Sequence, residues 1–124
     1  MIRSLKNGEI DYEDLENTLQ YNRDKPAIIL TNFGTTMKEA KDDVVKIKKV
    51  LKRSAIQDHY IHCDAALSGP YGAFLEPRVP FDFEDGADSI SISGHKFIGS
   101  PIPSGVIITK RSSKDRIAKG VAYI

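Results

Sequence analysis

Four short stretches of the chain have the length and composition of β-strands. They lie at residues 27–32, 60–63, 87–93 and 104–110. The first is apolar without alternation, which indicates a strand covered on both faces, as in parallel sheets. The fourth follows the third too closely for a parallel crossover, which takes about a dozen residues, so it is expected to run antiparallel. The pattern predicts an α/β fold with a mostly parallel sheet and one antiparallel strand near the C-terminus.

Apolar residues at helical spacing mark the segments before and between these strands. Asp11 is a suitable N-cap for a short amphipathic helix over residues 12–21. A second helix is predicted to begin at Asp42 or Asp43. Because it lies between two strands, it predicts a βαβ unit. Its apolar face is expected to consist of Val44, Ile47, Val50 and Leu51.

Residues 68–87 are rich in proline and glycine, which predicts an irregular connection. A helical turn is expected there at residues 71–75. A last helix is expected to be capped by Ser112 or Ser113 and to run through Ile117.

Composition sets outer limits on the function. The chain has 124 residues, which is one domain at most, and a net charge of +1, which gives no electrostatic reason to expect a nucleic acid or a membrane as partner. No apolar run approaches the roughly 20 residues of a membrane span, and the first residues lack the apolar core of a signal peptide. The single cysteine, Cys63, sets up neither an internal disulfide nor a metal site, and it is expected to be a small buried residue. The cytoplasm is the expected location.

Two charged residues stand where parallel strands are expected to end. Asp64 closes the second stretch, and Lys96 lies in a tight turn after the third, between Gly94 and Gly99. Taken alone, a lysine at such a place is more often a solvated surface residue. Ligands of open α/β sheets, however, bind beyond the carboxyl ends of strands. An acid and a lysine at that edge are the pair that pyridoxal 5′-phosphate (PLP) needs, the lysine for a Schiff base and the acid for the ring nitrogen.

Three motifs carry a resemblance to a known family. They are HCDAA at residues 62–66, SGHK at residues 93–96 and GSPIPSG at residues 99–105. In this order and spacing they resemble the group II PLP-dependent amino-acid decarboxylases. Within that family the chain is most similar to the bacterial pyridoxal-type histidine decarboxylases, with the plant serine decarboxylases close behind. The resemblance covers nearly the whole chain, from Asn7 to Ile124.

The resemblance implies a role for six residues. Lys96 would carry PLP as a Schiff base, and Asp64 would keep the ring nitrogen protonated while the amino-acid substrate loses carbon dioxide. The other cofactor contacts would be Ala66 against one ring face, Thr36 near the phenolic oxygen, and Ser93 and His95 at the phosphate.

Without the resemblance, some of these residues have simpler interpretations. His95 would be a structural histidine that donates to backbone, and the hydroxyls of Thr35 and Thr36 would cap the loop that leads into the helix. His62 stands two residues before Asp64 on a strand, so the two side chains are expected to point the same way.

The resemblance also implies how much of an enzyme is present. Residues 1–124 would form a single partial domain, the central to late part of the large PLP domain of a fold-type I (aspartate aminotransferase-like) enzyme. The family's phosphate loop, ring-stacking aromatic residue and small C-terminal domain have no counterpart in it. The chain is then either an excerpt or a natural truncation. The parent enzyme would be a homodimer or a homotetramer.

Three rival functions differ in kind from a histidine or serine decarboxylase. One is another fold-type I PLP enzyme, such as an aminotransferase or a desulfurase. The second is a non-catalytic remnant of the decarboxylase fold. The third is a basic binding module built on the lysine-rich helix at residues 43–52, which a solvated helix face explains more simply.

Overall fold

In the computed structural model, residues 1–113 are described, and they form an α/β fold. Its helices are α1 (Tyr12–Tyr21), α2 (Val44–Arg53) and α3 (Gly69–Gly72), and its strands are β1 (Ala27–Asn32), β2 (His59–Asp64), β3 (Ser89–Ser93) and β4 (Gly105–Thr109). The expected helix from Ser112 or Ser113 through Ile117 extends outside the described residues. No helix within the described part is long and apolar enough to cross a membrane.

The four strands form one sheet in the order β1-β2-β3-β4. β1, β2 and β3 are parallel, whereas β4 pairs antiparallel with β3. The predicted βαβ unit and the predicted antiparallel strand are both confirmed. Asn32 pairs with Asp64 and Asp64 with Ser91, so the three parallel strands end at one edge of the sheet.

Both long helices begin at aspartates and cover the same face of the sheet. Asp11 caps α1 by accepting hydrogen bonds from the backbone of Glu13 and Asp14, and Asp43 caps α2 by accepting one from Lys46. Capping satisfies backbone N–H groups that have no partner within the helix. The core between the helices and the sheet consists of Leu15, Leu19, Ala27, Ile29, Val44, Ile47, Val50, Leu51, Ile56 and Ile61.

A buried carboxylate fixes the N-terminal segment to β1. Asp42 accepts hydrogen bonds from the backbone N–H of Ile10 (2.7 Å) and of Asn32 (2.8 Å). Burial raises the pKa of its carboxyl above the usual range, although both hydrogen bonds act in the opposite direction. Asp42 therefore has a structural role next to the strand end and does not cap α2.

Two expectations about local structure are wrong in detail. β1 is covered on one face only, since Ile28 is 83% exposed and Leu30 is 62% exposed on the other. The reason is that α1 and α2 pack on a single side of this edge strand. The helical turn expected at residues 71–75 lies earlier, at Gly69–Gly72, because Pro70 stands at the start of α3, where a missing N–H costs nothing.

Candidate active site at the carboxyl edge of the sheet

Asp64 is the last residue of β2, and both neighbouring strands hold its backbone. The N–H of Phe33 donates to the Asp64 carbonyl at 2.8 Å, and the N–H of Ala65 donates to the carbonyl of Ser91 at 3.0 Å. The end of β2 is therefore fixed between β1 and β3. Its side chain is half-buried on the sheet face opposite α1 and α2.

Two donors orient the carboxylate of Asp64. The hydroxyl of Ser91 and the backbone N–H of Ala66 each donate to Oδ1 at 3.1 Å. Within residues 1–113, Oδ2 accepts no hydrogen bond. One oxygen thus orients the group, and the other is free to bind a ligand that carries an N–H.

Cys63 points to the opposite side of β2, as expected. Its side chain is fully buried in a second core cluster with Phe33, Phe81 and Ile90. Burial raises the pKa of the thiol to about 11. Cys63 therefore stays protonated near neutral pH and packs as a small apolar residue, so it is unsuited to nucleophilic chemistry.

His62 lies on the same face as Asp64. Its Nδ1 is 2.6 Å from the hydroxyl of Ser89 on β3. His62 and Ser89 are partners in the sheet register, as Asp64 and Ser91 are two residues further along each strand. The His62–Ser89 contact therefore repeats the Asp64–Ser91 contact. This face of the sheet therefore carries two aligned polar pairs that lead to its carboxyl edge.

Lys96 lies in the turn after β3. The turn is closed by Ser100 N–H donating to the Gly94 carbonyl (2.9 Å) and Gly94 N–H donating to the Ser104 carbonyl (3.1 Å). Gly99 has a φ of +71°, a conformation that favours glycine at this position. The Lys96 side chain is exposed, and in residues 1–113 it makes neither a hydrogen bond nor an ion pair. Lys96 and Asp64 thus belong to adjacent strand ends, without direct contact between them.

His95 is tied to the start of β4 through one ring nitrogen. The N–H of Ser104 donates to Nδ1 at 3.1 Å, and the Ser104 carbonyl oxygen lies 3.0 Å from the same nitrogen. The first contact needs an unprotonated Nδ1 and the second a protonated one, so the tautomer of the ring determines which of them forms. Nε2 makes no hydrogen bond within the described part of the chain. Within residues 1–113, His95 therefore has a backbone contact at one ring nitrogen and leaves the other ring nitrogen open to a ligand.

The remaining predicted site residues lie at the same edge. Ser93 N–H donates to the Ala66 carbonyl at 3.1 Å, which brings the backbones of these two residues together. Thr36 is exposed in the turn after β1. The neighbouring Thr35 is the one that caps this loop, since its hydroxyl accepts from the backbone of Ala40 at 3.0 Å.

The sequence-based prediction missed the partner of Asp64. The role of Ser91 is not visible in the sequence because it depends on the register between two strands that lie far apart in the chain. The alternation of Ser89, Ser91 and Ser93 was the available signal, since it places three hydroxyls on one face of a strand.

Comparison with known proteins identifies the family. Residues 1–119 match the model of the pyridoxal-dependent decarboxylase conserved domain. The chain belongs to this family. Among relatives of this decarboxylase segment, the histidine decarboxylase of Mesorhizobium japonicum is 48% identical over 124 residues, which are 100% of this chain and 34% of the relative. The histidine decarboxylase of Vibrio anguillarum is 50% identical over 99% of this chain and 32% of its own length.

Solved decarboxylase structures share the fold of this segment. The L-methionine decarboxylase from Streptomyces sp. 590 superposes with a TM-score of 0.73 at 25% identity, over 85% of this chain and 30% of that one. The tryptophan decarboxylase of Catharanthus roseus gives 0.71 at 20% identity, over 91% and 25% of the two chains, and shows the fold alone. The sheet is therefore that of a fold-type I PLP-dependent decarboxylase. The chain spans about a third of the length of the histidine decarboxylases it matches.

Proposed function

We propose that the protein is a PLP-dependent carboxy-lyase that converts L-histidine to histamine and carbon dioxide. The observation that supports this proposal most strongly is that Asp64, at the end of β2, and Lys96, in the turn after the adjacent β3, lie at the same end of the sheet. Within residues 1–113, Oδ2 of Asp64 accepts no hydrogen bond and the exposed Lys96 side chain makes none. Histidine is favoured as the substrate because relatives that are 48% and 50% identical over 99% or more of this chain are named histidine decarboxylases.

The residues at this edge fit the cofactor chemically. An exposed amine on Lys96 is available for covalent attachment, and the free Oδ2 of Asp64 is an acceptor for a protonated ring nitrogen. The short side chain of Ala66, next to Asp64, leaves room for a flat ring. When bound, PLP would supply the electron sink that stabilises the electron pair left behind by carbon dioxide.

Each residue of the candidate site has a definite task in this proposal. Asp64 would hold the proton on the ring nitrogen of PLP, while Ser91 and the Ala66 N–H keep its carboxylate in one orientation. A charge-assisted hydrogen bond of this kind is worth about 1.5–3 kcal/mol. The hydroxyl of Ser93 and the imidazole of His95 would bind the phosphate, and Thr36 would approach the phenolic oxygen.

The proposal also covers the context of the segment. Residues 1–124 form the central to late part of the large PLP domain, and the phosphate loop and ring-stacking residue come from elsewhere in the enzyme. The amino-acid side chain is recognised by those other segments and by a second subunit of a homodimer or homotetramer. A cytoplasmic location stays a prediction from the sequence.

Borohydride reduction followed by peptide mapping tests the assignment. In the full-length protein, reduction should place a pyridoxyl group on Lys96, and Lys96→Ala should abolish both the label and the visible absorbance. Lys38→Ala is the matched control, because Lys38 is another exposed lysine in a loop beyond the same edge of the sheet. A label on another lysine would overturn the assignment. Carbon dioxide release from labelled histidine and serine then identifies the substrate.

A further inference from the structure

An aromatic contact joins the lysine turn to the loop after β2. The rings of Tyr71, in α3, and Phe97 lie with their centroids 4.7 Å apart and their planes inclined by 51°. Phe97 directly follows Lys96 in the chain. Aromatic pairs at this separation are favourable beyond the apolar area that they bury.

The hydroxyl of Tyr71 is held in turn by two other residues. It donates to the carboxylate of Glu39 and lies 2.8 Å from the hydroxyl of Ser68. Since a phenol has one proton, Ser68 is free to donate to the Tyr71 oxygen. Glu39 also forms an ion pair with Lys41 at 3.4 Å. The hydrogen bond to Tyr71 and the charge of Lys41 lower the pKa of Glu39, so this carboxylate is ionised at neutral pH.

Close packing fixes Ser68 against the loop after β1. Gly34 has a φ of +93°, and a Cβ added there would lie 1.8 Å from the Ser68 hydroxyl. Only a residue without a side chain allows this approach. Through Ser68 and Glu39, Tyr71 is thus connected to the loop after β1, and through Phe97 to the turn after β3.

We propose that Tyr71 is a positioning residue for Lys96, holding the lysine turn against the two neighbouring loops through Phe97. This rests on the proposed role of Lys96 as the PLP anchor. The Ser93 N–H fixes the start of the turn by donating to the Ala66 carbonyl. The hydrogen bonds further along the turn, including the contact between Ser104 and His95, connect residues of the same loop and leave Lys96 unrestrained relative to Asp64. The Tyr71–Phe97 contact is the aromatic contact in residues 1–113 that crosses from this turn to another element.

Hydrogen exchange in the cofactor-free, full-length protein tests this position directly. Tyr71→Leu and Phe97→Leu should each raise exchange of the amides in residues 94–100 about threefold to tenfold, the range expected for loss of an aromatic pair. Tyr71→Phe keeps the ring and should have a smaller effect. Phe74→Leu is the matched control, since Phe74 is an exposed aromatic residue in the same loop and should change nothing.

The double variant separates positioning from general stability. If Tyr71 acts through Phe97, the Tyr71→Leu/Phe97→Leu protein should exchange no faster in the turn than either single variant. Exchange in β2 and β3 should stay unchanged in all of them. In the holoenzyme, the two leucine variants should lower kcat about threefold to tenfold and leave KM within about twofold, because the misplaced group is the anchor and not the substrate site.

Each result bears on one proposal. Unchanged exchange of the turn in Tyr71→Leu, or an equal rise in the strands, would overturn the positioning role. Should Tyr71→Leu fail to fold, Phe97→Leu and Tyr71→Phe give the same comparison. A parent protein that forms no covalent adduct at Lys96 would refute the proposed function, while the exchange measurements would still decide whether Tyr71 restrains the turn.

Discussion

Ser91 donates a hydrogen bond of 3.1 Å to Oδ1 of Asp64 from the neighbouring parallel strand. The two residues are direct partners in the register of β2 and β3, so the geometry is set by the sheet and not by a loop. A carboxylate held in this way needs little reorganisation when a cationic ligand arrives, and preorganised groups are the more effective ones in catalysis.

Loss of the Ser91 hydroxyl should therefore lower the activity without abolishing it. Ser91→Ala leaves the Ala66 N–H on Oδ1, so we expect kcat/KM to fall about threefold to tenfold, which corresponds to the roughly 0.5–1.5 kcal/mol of a typical hydrogen bond. Ser89→Ala is the control, since its hydroxyl contacts His62 instead. Steady-state kinetics of the full-length protein measure this change. An equal loss of kcat/KM in Ser91→Ala and Ser89→Ala would contradict a specific role for Ser91.

Replacing the acid itself should have a larger effect. Asp64→Asn nearly keeps the shape but removes the charge, so the ring nitrogen loses its charge-assisted partner. We expect weaker PLP binding and at least a tenfold loss of turnover, since about 1.4 kcal/mol on the barrier corresponds to a factor of ten. Titration with PLP and single-turnover assays measure the two effects. Near-normal kinetics would mean that another group serves the ring nitrogen.

The sequence predicted the scaffold of the site better than its interactions. Helix α1, the βαβ unit and the place of Asp64 at a strand end all followed from local spacing and from capping residues. Such signals lie within a few residues of the structure they determine.

Contacts between distant residues could not be predicted in the same way. Ser91 meets Asp64 only because of the register of two strands, and Tyr71 meets Phe97 across 26 positions of the chain. The segment that contains Tyr71 is irregular, and periodicity carries no information where no regular element exists. The open face of β1 was missed because a continuous apolar run does not reveal which neighbours cover it.

Cys63 should make the protein lose stability at high pH. Its pKa is raised from 9.0 to about 11 in the folded state. The contribution of the buried, protonated Cys63 thiol to the free energy of unfolding is therefore complete below pH 9. It is lost as the pH rises toward 11, because the thiol of the unfolded chain releases its proton first. By pH 10 the loss should be about 1 kcal/mol.

Urea unfolding of the unsubstituted protein and of the Cys63→Ala variant at pH 8 and pH 10 measures this loss. The variant lacks the Cys63 thiol, so its free energy of unfolding should decline less over this range. The cavity left by the substitution lowers stability equally at both pH values and cancels from the comparison. Parallel declines in the two proteins would show that Cys63 does not cause the alkaline loss.

The 124-residue chain by itself should be inactive and prone to self-association. The face that carries Asp64 also carries Ile28, Leu30 and Ile107, the last of them 72% exposed, and among the described residues no strand pairs with the outer edge of β1. Exposed apolar faces and open edges favour association between copies. Gel filtration should show oligomers with little PLP retained, and Ile28→Thr with Leu30→Thr should shift the profile toward monomer. Met37→Thr, at an exposed apolar residue in a loop, should leave the profile unchanged.

Catalysis should be absent because a phosphate held by Ser93 and His95 alone would be poorly positioned, and misplacement by about 1 Å is enough to slow a reaction severely. Carbon dioxide released from labelled histidine or serine above the level of a Lys96→Ala control would show that the segment carries a complete site after all.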